Sequence, residues 1–112
     1  MTIEEMIRGA VERESAKGFM IVAGEYRSGG GTCECPMTAV YFDANPQANR
    51  DRAAHDGVAI SDIKFGVAKK LGVTRQWIDI FVEGFDGHGV SSDANYSEAF
   101  DLGRKFRREY VK

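Results

Sequence analysis

The chain has 112 residues, with 15 Lys or Arg against 17 Asp or Glu and a formal net charge of −2. An apolar content of 43% with 11% aromatics excludes intrinsic disorder and suits one domain, residues 1–112, that buries a core without metal or disulfide staples. No run approaches the about 18 apolar residues of a membrane span, and the acidic start Met1-Thr2-Ile3-Glu4-Glu5 lacks the features of a signal peptide, so a cytoplasmic location is expected.

Thr2 and Glu5 have capping-box spacing, and Ile3, Met6, Ile7, Ala10 and Val11 follow at helical period. A first helix is predicted over 3–16, stopped by Gly18. Phe19 to Tyr26 is rich in β-branched and aromatic residues and reads as a short extended segment, buried on both sides at its start. Ser28-Gly29-Gly30-Gly31-Thr32 must be a loop, because three successive glycines cost too much entropy inside an element. Pro36 suits a first helical position, and Met37, Val40, Tyr41 and Ala44 predict a helix over 36–44. The rival is a hairpin pairing 19–26 with 38–43. Asn45-Pro46 ends either one, and Gln47 to Gly57 reads as an exposed connection.

Ser61 is placed to cap a helix running to Leu71, with Ile60, Ile63, Val67, Ala68 and Leu71 on one face. After Gly72, Thr74 caps a helix over 75–85 whose apolar face is Trp77, Ile78, Phe81 and Phe85, leaving Asp79, Ile80 and Glu83 outward. Asp86-Gly87-His88-Gly89 is a turn. A last helix over 94–110 buries Tyr96, Ala99, Phe100, Gly103, Phe106 and Tyr110. Glycine at 103 costs helix stability, which points to close approach by another helix or ring. The expected fold is therefore mainly α: a small bundle of about five helices with a short extended segment near 19–26.

Within residues 64–83, Ala68, Gly72 and the apolar Leu71, Val73 and Ile78 stand where two helices would cross around a tight turn. This stretch resembles a bacterial helix-turn-helix. The resemblance implies that Lys69, Lys70, Thr74, Arg75 and Gln76 face nucleic acid. The acidic balance and Asp79, Glu83 and Asp86 disfavour DNA, because phosphates demand compensating cations. Two amphipathic helices joined by a tight glycine turn and packed for the core explain the pattern more simply. A basic tail follows: Arg104, Lys105, Arg107, Arg108 and Lys112 stand against one Glu109. Such charges complement a helix C-terminus, or form a phosphate-contacting edge or an acidic-partner face.

Chemistry has three candidate residues. Cys35 stands at a helix N-terminus, where the dipole favours thiolate, and a nucleophile there needs a base, for which His55 and His88 are the only histidines, with Asp86 two residues before His88; the plainer reading is a small buried cysteine beside a turn. Cys33 and Cys35 are too close for an unstrained disulfide. With His55 and His88 they give four ligand types suited to zinc, but the one-residue cysteine spacing is wrong, so no metal and no cofactor are expected. The loop also lacks the ending of a nucleotide P-loop. These residues point first to a non-catalytic module that binds a protein partner or small ligand between the Cys35 loop and the 84–90 turn. Gly30, Gly31 and Thr32 would supply amides, and Tyr41, Trp77 and Phe85 aromatic walls. The alternatives are a helix-turn-helix DNA binder and a thiol-dependent enzyme using Cys35.

Overall fold

In the computed structural model, residues 1–24, 33–50 and 56–111 are described. The first helix, α1, spans Ile3–Ala16 and opens with a complete capping box between Thr2 and Glu5. The chain then enters β1, Met20–Ile21, which pairs in parallel with β2, Cys33–Glu34, in the register Met20 to Cys33 and Ile21 to Glu34. Helix α2, Pro36–Ala44, starts directly after β2 with proline in its first turn. The helical reading of 36–44 therefore holds over the hairpin. Helices α3, Ile60–Leu71, and α4, Arg75–Asp86, are joined by Gly72, whose φ of 71° is the left-handed conformation that glycine adopts without strain. A single 3₁₀ turn, Ala94–Tyr96, leads into α5, Ser97–Tyr110.

Each helix packs on its neighbour in sequence, and α4 against α5 is the most extensive contact. Its cause lies in two glycines. A Cβ on Gly84 would lie 2.2 Å from the Phe100 carbonyl oxygen, and one on Gly103 would lie 2.1 Å from that of Phe81. The backbones of α4 and α5 therefore touch where either glycine stands, and no larger residue fits. Phe81, Phe85, Phe100 and Phe106 close the core around this crossing. The bundle is closed between its ends by charge. Arg8 of α1 pairs with Glu109 of α5 and lies over the Phe106 ring, while Lys105 reaches Glu4 at 2.8 Å. The radius of gyration, 12.9 Å, matches the about 13 Å of a single folded domain of this length.

Several local expectations change. The start of the extended segment is not buried on both sides: Met20 is 63% exposed, and Phe19, Ile21 and Val22 are half-buried. A two-residue sheet has too little surface to cover it. The N-cap of α3 is Ala59, not Ser61, with no side-chain bond, and Ile60 is exposed rather than on the packed face. Ile80 is fully buried rather than outward, because α4 is packed on more than one side. Helix α2 is buried almost all round, and Ala39 and Phe42 join the core while Ala44 is exposed.

Candidate functional site

The sequence-predicted thiol is the best-defined case. Cys35 is the N-cap residue of α2 and is 1% exposed. Burial pushes its thiol up to about 11. Hydrogen bonds from the Thr38 hydroxyl and from the first amides of α2 act the other way and lose, and the Asp86 carboxylate adds to the rise. The desolvation of a sealed sulfur thus outweighs the helix-terminus effect on which a reactive thiolate depends. Its Sγ lies 3.5 Å from the Thr38 hydroxyl. Cys35 behaves as a small core residue, and Cys33 is half-buried in β2 with no disulfide between them.

The start of the 84–90 turn is tied to the β1 segment, and Asp86 is near enough to Cys35 to act on its thiol through space. Gly24, at the end of the β1 segment, donates its N–H to Asp86 Oδ1 at 2.9 Å. Asp86 is thus a tether rather than the orienter of a base. His88 is exposed and lies on another part of the turn, donating its backbone N–H to the Glu83 carbonyl. Of the expected aromatic walls, Phe85 has no exposed surface and belongs to the core, within 6.4 Å of Phe81 centroid to centroid. Trp77 stacks on Phe81 and is half-buried. Tyr41 packs over Gly66 and borders a shallow hollow beside Asn45 and Ala48. Gly30, Gly31, Thr32 and His55 lie outside the described residues. Among the described residues no three acidic, His or Cys side chains gather into a metal-holding group, and no helix is long and apolar enough to cross a membrane. The helix-turn-helix positions Lys69, Lys70, Thr74, Arg75 and Gln76 are all exposed, with Thr74 capping α4 by accepting the Trp77 N–H.

Two centres of charge were not anticipated in this form. The first is buried. Glu14 of α1 is 0% exposed, and Glu34 of β2 is 1%. Arg50 lies against both, its guanidinium nitrogens 2.5 and 3.1 Å from the two Glu14 oxygens and 3.2 Å from Glu34 Oε2. The same guanidinium is stacked on Phe19, 3.9 Å to the centroid, and Phe42, 4.6 Å. Lys17 supplies a second cation at 3.2 Å from Glu14. Burial first, and then the neighbouring Glu14, push the Glu34 carboxyl up to about 8. Burial opposes ionisation of Glu14 too, but its hydrogen bonds from Arg50, Glu34 and Lys17 hold it below the usual range. Burial and the Glu14 charge thus favour the protonated form of Glu34, while the cations around Glu14 favour its ionised form. Glu34 Oε1 is buried and has no hydrogen-bond partner among the described residues. A trace of this centre exists in the sequence, since Glu14 extends the buried stripe Ile7, Ala10, Val11 by one step. Nothing around Arg50 marks it.

The second centre is open. Beside the 84–90 turn lies a cleft of about 280 Å³, lined on the turn by Gly84, Gly87 and Gly89. Its polar lining is His88, Arg104, Arg107 and Arg108, and none of the lining residues is acidic. The α4–α5 glycine crossing sets this geometry by bringing the basic end of α5 against the end of α4.

No family model, no curated protein and no solved structure matches the chain.

Proposed function

We propose that the chain is a non-catalytic binding module whose recognition face is built on the glycine-rich 84–90 turn. The observation that carries this reading is the convergence of His88 and three arginines on the cleft beside that turn. The Asp86–Gly24 bond supports it further by fixing the turn to the strand segment, so that the face is held by rigid elements. Chemistry at the thiol has no support, since Cys35 is sealed and protonated at neutral pH. A small ligand fits better than a protein partner, because about 280 Å³ lies at the lower edge of ligand-pocket volumes, roughly 300 to 1,000 Å³.

The test is an amide-resolved NMR titration of the chain with a panel of acidic, basic and neutral small molecules. Saturable shifts clustered at Gly84–Gly89 and along Arg104–Arg108 are expected. A panel that moves no residue of this turn contradicts the reading.

Nucleic acid is the second reading, favoured by the exposure of Lys69, Lys70, Thr74, Arg75 and Gln76 around the α3–α4 turn. Against it, Lys64 is engaged by Asp79 at 2.8 Å, and α4 carries Glu83 further along. Retention of duplex DNA that falls steeply with salt would favour it, and no retention at about 50 mM salt would end it.

A further inference from the structure

The cations of the cleft are more than its helix ends require. The last carbonyls of α4 are already answered. Gly87 donates its N–H to Glu83 and Gly84, His88 donates to Glu83, and one Arg107 nitrogen donates to the Phe85 carbonyl at 2.9 Å. The Arg107 guanidinium lies flat on Gly87, its carbon 2.9 Å from where a Cβ would stand, so glycine is what admits it. Lys105, on the same helix, is committed elsewhere through Glu4. Arg104 and Arg108 are exposed and have no ion pair among the described residues; Arg104 lies over the Phe100 ring at 5.8 Å. The acid on the adjoining turn of α4, Glu83, has both oxygens occupied by Ser92, at 3.0 and 2.5 Å. Capping therefore engages one nitrogen of Arg107, His88 lies close enough to Glu83 to favour its ionised form, and the guanidiniums of Arg104 and Arg108 stand at the cleft without a counter-charge among the described residues.

We infer that this cleft is a binding site for a small phosphate-bearing ligand, its phosphoryl oxygens held by Arg104, Arg107 and Arg108. The inference rests on the binding-module reading and names the ligand chemistry for its face. Guanidinium groups match phosphate oxygens in pairs, and three of them suit a dianion better than a single carboxylate. The carbonyl end of α4 opposes an anion with the equivalent of about half a negative charge. Three full positive charges outweigh it. The glycines leave the approach to the cleft free of side chains, so the rest of a small ligand can lie along the turn.

The test is calorimetric titration of the full chain with inorganic phosphate and with phenyl phosphate, at constant ionic strength set by chloride. One saturable site is expected. R104Q/R108Q should weaken it roughly tenfold or more, since two charge-assisted bonds are lost. Lys105→Gln, whose partner is Glu4, should leave it unchanged. Both variants replace exposed residues, and circular dichroism checks that they fold. The absence of saturable binding overturns the inference, as does equal affinity in R104Q/R108Q. Duplex DNA serves as counter-probe: binding that the double variant abolishes, with no response to either phosphate, also overturns it. If the phosphates fail while another small molecule still shifts Gly84–Gly89, only the ligand assignment falls. If nothing shifts that turn, the module reading falls with it.

Discussion

The protein places arginine in two opposite settings. Arg50 is 16% exposed, pressed between two aromatic rings and bonded to two buried glutamates. Arg104 and Arg108 stand in solvent around a cleft with no acid in its lining. The difference separates two uses of one side chain. A cation enclosed by carboxylates holds α1, β2 and the 45–50 segment together, and its charges are spent on one another. A cation left without a partner beside a concave surface adds nothing to folding and keeps its hydrogen bonds for a ligand.

The largest break in this comparison is Arg50→Met. It leaves Glu14 ionised and buried with only the half-exposed Lys17, and should cost about 3–5 kcal/mol by urea denaturation. A loss below about 1 kcal/mol would show that the buried centre contributes little. Gly103→Ala comes next, at about 3 kcal/mol, because its Cβ meets the Phe81 carbonyl 2.1 Å away and cannot be relieved by a side-chain rotation. The same substitution should weaken phosphate binding by pushing α5 from the turn, although it touches no cleft charge. Full binding in a destabilised Gly103→Ala protein would contradict the placement of the cleft at that crossing.

Glu34→Gln sharpens the comparison through pH. The Glu34 carboxyl rises from its ordinary 4.5 to about 8, so the folded chain holds a proton in that window that the unfolded chain has lost. Its contribution is complete below about 4.5 and disappears as pH climbs through about 8. Stability of the parent should therefore decline from about pH 5 to about pH 8, with a slope of up to about 1.4 kcal/mol per unit. Glu34→Gln, which imitates the protonated acid, should flatten that decline and cost little at neutral pH. Glu14 has the opposite sign: its contribution is present above the ordinary carboxylate value and is lost as pH falls through its lowered one. An unchanged slope in Glu34→Gln would assign the proton elsewhere. The smallest effect belongs to R104Q/R108Q, whose stability should stay within about 0.5 kcal/mol of the parent in the same denaturation experiment.

How much of this was legible varies with the physics involved. Helices α1, α2 and α4 could be read from caps, Pro36 and apolar period, all of which act within one or two turns of chain. Gly103 also announced a close approach, because glycine is otherwise costly inside a helix; its counterpart Gly84 did not, since a turn follows it. The inward position of Ile80 was hidden, because it depends on what packs across α4 rather than on α4 itself. Cys35 shows the same division between local and tertiary facts, and its plainer reading as a small buried residue is the one the core produces. Its helix-terminal place is a local fact, whereas the desolvation that raises its thiol comes from the assembled core. The buried centre joins residues 14, 34 and 50, and only tertiary contact reveals it. The basic tail was visible as composition, but which of its charges are already spent, as Lys105 is on Glu4, is not a property of sequence.

The most direct test is an arginine side-chain NMR titration that follows every Nε–H signal while inorganic phosphate is added. The account predicts that Arg104, Arg107 and Arg108 shift together and saturate, while Arg50 does not move. A shift confined to Arg50, or none at the three cleft arginines, would contradict it.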